Sequence, residues 1–198
     1  MIKPFKKIHY NAPVILTFTF LSFFILVLGE LTNDFSTRLF FSVYKSSMSD
    51  FFFYIRLVGH VLGHINYEHF FSNFLLILLI GPMLEEKYGS KNMILMIVFT
   101  AIISGVLHIL FFDSNALLGA SGVVFMLILL SSFVNIKKDS IPLTLILVII
   151  IFIGKELYNG LLAQDNISQI THIVGGFCGG VFGYMMHNKE KVIEEQHS

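Results

Sequence analysis

The feature that most constrains this chain is a succession of long apolar runs, separated by short polar or charged stretches. A helix needs about 20 apolar residues to cross the hydrocarbon of a bilayer. Ala12 to Leu28 is the first such run, His64 to Leu84 the second and Asn92 to Phe112 the third. Leu117 to Ile136 is the fourth, Ile141 to Gly154 opens the fifth, and Ile170 to Met186 is the sixth. Glu85-Glu86-Lys87 stops the second run and Lys137-Lys138-Asp139 the fourth. Hydrophobic residues make up 55% of the chain and charged residues 13%. A soluble domain carries about 25% charged residues. An all-α membrane protein of six transmembrane helices is therefore expected, as one domain over residues 1–187 with a charged, flexible tail at 188–198.

Charge sets the expected orientation. Lys3, Lys6 and Lys7, then Lys87 and Lys91, then Lys137 and Lys138, then Lys189 and Lys191 fall on one side of a six-span arrangement. The positive-inside rule assigns that side, with both termini, to the cytoplasm. Arg38, Lys45, Arg56 and Lys155 are exceptions on the other side. The first run ends in Gly29-Glu30-Leu31-Thr32, without a small-x-small cleavage site, so it reads as a retained span in the plasma membrane. From Glu30 to Gly59 comes a long first outer loop with greasy clusters at Leu39-Phe40-Phe41 and Phe51-Phe52-Phe53-Tyr54. That mixture predicts an amphipathic loop lying in the outer interface. The formal net charge is zero, which gives no electrostatic reason to expect a nucleic acid partner; the lipid bilayer is the partner the composition implies. Cys178 is the single cysteine and cannot form an internal disulfide.

Polar side chains inside spans are costly, so they point to function. His69 and Asn73 are four apart and share a face of the second helix. Ser121, in Gly119-Ala120-Ser121-Gly122, opens the fourth helix, and His172 lies just inside the sixth. All four fall toward the outer side. A serine becomes a nucleophile when a base takes its proton, and histidine is the usual base. An imidazole N–H, an amide NH2 and a backbone N–H at a helix start can hold the resulting oxyanion. Gly175 and Gly179 follow His172 at the spacing that lets membrane helices approach closely, and that face can dock near Gly122.

The ordered set Arg56, His60-x-x-x-His64-x-x-x-x-His69-x-x-x-Asn73, Gly81-x-x-x-Glu85-x-x-x-Gly89, Gly119-Ala120-Ser121-Gly122 and His172-x-x-Gly175-x-x-x-Gly179 resembles the rhomboid family of intramembrane serine proteases. The resemblance implies a six-helix bundle whose short fourth helix stands in a water-filled cavity. It implies Ser121 as nucleophile and His172 as general base, with His69, Asn73 and the Ser121 N–H forming the oxyanion hole. Arg56, Glu85, Gly119, Gly122, Phe125, Gly175 and Gly179 are then supporting residues. The implied substrates are single transmembrane helices cut near their outer end, and no metal or cofactor is implied. Ile55-Arg56 stands where the family often has Trp-Arg. Phe125, one turn after Ser121, offers a ring for His172 but no hydroxyl.

Other readings accompany this one. A non-catalytic relative would bind transmembrane helices and hand them on. His60 and His64, an i, i+4 pair, are possible metal ligands, but four ligands are the usual requirement and the chain has no HExxH. The plainer expectation is that they bond backbone in the outer loop or hold water near the cavity. Glu85 is expected to bond inward or to act as an inner stop, and His108 to be a satisfied polar group between helices. Glu156 and Asp165 are possible orienters of His172, although a dyad is preferred. The stretch from Lys155 to Ser168 is expected to be a polar loop acting as a lid over substrate entry between the second and fifth helices.

Overall fold

The computed structural model describes residues 9–112, 115–134, 142–162 and 166–197. Eight helices account for nearly all of them, and the one β-bridge among them joins Val43 to Leu117.

α1 (Pro13–Leu31) starts with Pro13, whose missing N–H costs little in a first turn. The rest of that turn is capped from a distance. Glu85 accepts from the Val14 N–H through Oε1 and from the Ile15 N–H through Oε2, each at 3.0 Å. α1 buries Ile15, Phe18, Ile25 and Leu26, while Phe20, Phe23 and Phe24 face outward. A helix apolar all round, with only part of its surface packed, is built for protein on one side and lipid on the other.

The expected outer loop is largely helical, with α2 (Phe35–Phe40) and α3 (Phe51–Gly59) inside it. Asp50 caps α3 by accepting from the Phe52 N–H at 3.0 Å. Arg56, 2% exposed, holds the loop together. Its Nη2 donates to Asp50 Oδ2 at 2.7 Å and to Ser46 Oγ at 2.8 Å, and its guanidinium lies 4.5 Å from the Tyr44 ring centroid. The guanidinium beside Asp50 holds that carboxyl below the usual range.

α4 (Tyr67–Tyr88) corrects the expected second span at both ends. It starts at Tyr67 rather than His64 because the Asn66 side chain caps it, accepting from the His69 N–H at 2.8 Å. It runs through Glu85-Glu86-Lys87 instead of stopping there, and Gly89, at φ 83°, ends it. α5 (Ser90–Phe111) follows at once. Tyr67 donates to Glu30 at 2.8 Å and so ties the start of α4 to the end of α1.

The fourth span is corrected more sharply. α6 (Ser121–Ser131) has only 11 helical residues. At 1.5 Å per residue it is about 16 Å long, roughly half the hydrocarbon thickness. Residues 117–120 are not helical, because Leu117 exchanges two 2.9 Å backbone hydrogen bonds with Val43 and Gly119 donates to the His60 carbonyl at 2.9 Å. Val123, Val124, Met126, Leu127, Leu129 and Leu130 are all buried, and α6 touches α4 and α5. It is the central helix of the bundle.

α7 (Leu143–Leu162) and α8 (Asn166–His197) also touch α6, and α8 makes the most extensive interface with it. α7 extends eight residues past Gly154, so the expected polar loop is mostly helix; residues 163–165 of the expected lid lie outside the described residues. Lys155, Glu156, Leu157, Leu161 and Leu162 are good helix formers, and polarity alone does not stop a helix. For the same reason α8 carries on through the charged tail to His197. Among the described residues α1, α4 and α5 are long and apolar enough to cross a membrane.

Candidate functional site

The end of the bundle where α6 begins is held by backbone contacts. Gly122 and Gly175 meet so closely that a Cβ on Gly175 would overlap the Gly122 carbonyl oxygen. One turn on, a Cβ on Gly179 would overlap the Met126 carbonyl. α6 and α8 therefore pack through glycine, as small-x-x-x-small spacing allows. Ser121 immediately precedes Gly122, and His172 lies three residues before Gly175 on α8. The His172 and Phe125 ring centroids are 4.3 Å apart, with the planes tilted by 39°. Ser121 and Phe125 are four apart on α6 and share a face. Ser121 and His172 are both half-buried. The α8 turn bearing His172 thus lies against the α6 face that begins with Ser121.

His69 comes from α4. Its ring occupies the space beside Gly119, where an ideal Cβ would sit 2.6 Å from Cε1 and 2.8 Å from Nε2. Gly119 also has φ 126°, a conformation that L side chains rarely adopt. Two independent constraints therefore require glycine there. His69 Nδ1 is buried without a hydrogen-bond partner. Asn73, 6% exposed, donates to the His69 carbonyl at 2.9 Å. Its amide nitrogen carries a second N–H. Gly122 is flanked by Thr171 Cγ2 and Ser104 Oγ, 3.2 and 3.3 Å from an ideal Cβ position.

Some supporting residues were not legible as such. His64 Nε2 accepts from the Ala120 N–H at 3.4 Å while its Nδ1 meets the Leu62 carbonyl at 3.2 Å. Neutral imidazole supplies one donor and one acceptor, which fits this pair of contacts. Burial pushes His64 down to about 4, and the neighbouring His69 adds to the shift. His60 also meets a carbonyl through Nδ1, that of Leu57 at 3.2 Å, and burial again lowers it to about 4. Both histidines of the i, i+4 pair bond backbone in the segment between α1 and α4. The histidine spacing was visible in the sequence, but nothing in it pointed to the Ala120 amide. His108 meets the Asn115 carbonyl at 2.8 Å through Nε2 and leaves Nδ1 without a partner. The side chain of Glu156 and the whole of Asp165 lie outside the described residues.

An all-helical bundle with lipid-type outer faces and a short, glycine-packed central helix is the architecture of an integral membrane protein. Residues 53–189 match the family model described as the Rhomboid domain. The chain belongs to the rhomboid family, which consists mostly of intramembrane serine proteases and includes inactive members. The family acts on transmembrane substrates within the bilayer.

Proposed function

We propose that this protein is an intramembrane serine endopeptidase that cuts single-pass transmembrane proteins near the outer membrane face. The observation that carries the reading is the seating of the His172 ring on Phe125, beside the glycine contact that clamps the Ser121 end of α6 to α8. A relative that only binds helices has no need of a histidine at that position.

In this reading Ser121 Oγ attacks the scissile carbonyl carbon and His172 takes its proton. The carbonyl π electrons move to oxygen. His69, the second Asn73 N–H and the Ser121 backbone N–H hold that charge. Collapse breaks the C–N bond, and His172 returns the proton to the leaving amine. Water then attacks the acyl-enzyme, with His172 again as base, and releases the carboxyl product and free Ser121. A dyad suffices, with no metal or cofactor. Donors fixed at a helix start need no reorganisation as charge develops. A helix that covers only about half the hydrocarbon thickness leaves room above it for the water that hydrolysis needs. The substrate end unwinds first, since an intact helix keeps its carbonyls bonded.

Six spans, formed by α1, α4, α5, α6, α7 and α8, complete one domain over residues 1–187. By the positive-inside rule both termini lie in the cytoplasm and the Ser121 end of α6 faces outward, in the plasma membrane. The loop bearing α2 and α3 then rests in the outer interface. The test is labelling with a fluorophosphonate. Wild type takes up one label at Ser121 and cleaves a model transmembrane substrate. Ser121→Ala folds but does neither. Full cleavage by folded Ser121→Ala excludes the mechanism.

A further inference from the structure

We propose that the groove between the start of α1 and the last turns of α4 binds the headgroup of a phospholipid with a primary amine, a phosphatidylethanolamine. The groove has a volume of about 820 Å³ and is far from Ser121 along the chain and in the fold, at the opposite end of α4 from His69. One wall is α4, through Leu78, Pro82 and Glu86. These residues are spaced by four and form one stripe.

Proline interrupts that stripe in a useful way. Pro82 lies inside α4 and has no N–H to give, so the Leu78 carbonyl lacks its usual donor within the helix. Helical side chains lean toward the N-terminus, so the Glu86 carboxylate reaches back toward the same point. Its neighbour Glu85 is committed to the first turn of α1 and to the Ser90 hydroxyl at 2.7 Å. Glu86 is exposed and is the anion the groove has to offer. Two acceptors, one charged, match an ammonium that carries N–H bonds. The opposite wall includes His9 and Asn11, whose side chains bear N–H groups for a phosphate. Leu79 and Met83, 74% and 49% exposed, carry the apolar surface on along α4 and give an acyl chain its path. A polar mouth joined to an apolar track suits a lipid better than a soluble ligand. A choline headgroup brings the charge but no N–H, and a glycerol headgroup leaves the phosphate charge to face Glu86.

The test uses the full-length protein in bilayers of equal phosphatidylethanolamine, phosphatidylcholine and phosphatidylglycerol, with retained lipid read by native mass spectrometry. Wild type retains the ethanolamine lipid several-fold over the other two. Glu86→Gln removes the enrichment, and Pro82→Ala, which restores an N–H to Leu78, reduces it. Equal retention of the three lipids by wild type, or full enrichment in Glu86→Gln, overturns the proposal. The other source of ammonium groups is the chain's own Lys3, Lys6 and Lys7. If wild type shows no enrichment and replacing all three with Gln creates it, the groove is filled by the chain itself and the proposal fails. Thermal unfolding midpoints in each lipid give a second reading, higher in the ethanolamine lipid for wild type alone.

Discussion

Removing Glu85 tests how the bundle is joined at the end where α1 begins. The carboxylate is 4% exposed and caps a helix that lies 70 residues away in sequence. It accepts from the Val14 and Ile15 N–H groups at 3.0 Å and from the Ser90 hydroxyl at 2.7 Å. Hydrogen bonds to a charged group contribute about 1.5–3 kcal/mol each. Val14 is half-buried and its N–H regains some water on substitution, whereas Ile15 is fully buried and its N–H is orphaned. Taking the upper part of that range for Ile15 and the lower part for Val14 gives a loss of about 4 kcal/mol for Glu85→Ala. Glu85→Gln keeps one acceptor but loses the charge that favours a helix N-terminus, for a loss of about 2 kcal/mol. The assay is reversible unfolding in mixed micelles, with hydrogen exchange at Val14 and Ile15 as the local readout. Both amides should lose protection before the rest of α1. If Glu85→Ala falls within about 0.5 kcal/mol of wild type, the range of an ordinary surface change, the capping argument is wrong.

Three further outcomes are expected. Gly175→Ala forces α8 off the Gly122 carbonyl; a displacement of about 1 Å costs on the order of 100-fold in turnover, while overpacking costs about 1–3 kcal/mol. Wild-type cleavage of a model substrate by Gly175→Ala would show that this contact does not set the site. Asn73→Ala should fold and lose about 100-fold in kcat, the usual effect of removing one oxyanion donor, with KM little changed; an unchanged kcat would remove Asn73 from the site. Stability should fall in acid as pH drops from about 6.5 toward 4. His60 and His64 are held neutral by burial to about 4, whereas the unfolded chain protonates them near 6.5. In that window the unfolded state binds more protons, so stability rises with pH and levels off above it. The limit is about 3 kcal/mol per histidine. Replacing His64 with Gln should flatten its share of the slope, and an unchanged acid profile would count against its neutral, backbone-bonded role.

What could be read from the sequence depended on how far away each cause lay. The Gly175 and Gly179 spacing was legible because helix packing in lipid is written in small residues one turn apart, and the contact with Gly122 needs nothing more. His69 and Asn73 were legible as a pair for the same local reason. The length of α6 was only partly legible. Ser121 reads as the opening of the fourth helix, and the resemblance implies a short one. The apolar run from Leu117 to Ile136 does not show why its first residues stay out of the helix. They are held by Val43 and by the His60 carbonyl, both drawn from the loop before α4. The partners of Glu85 were hidden in the same way, since they stand at the start of a different helix. The opposite error came from treating polarity as a break, which made a loop of residues that α7 continues through. These cases share one physical consequence. The same segment between α1 and α4 that shortens α6 also supplies His64, whose imidazole accepts from the amide of Ala120 beside Ser121. Arg56 fixes that loop from within, so its anchoring and the position of Ser121 are mechanically one unit. A weakened Arg56 contact should therefore act on the Ser121 turn before it acts on the packing of α6 against α8.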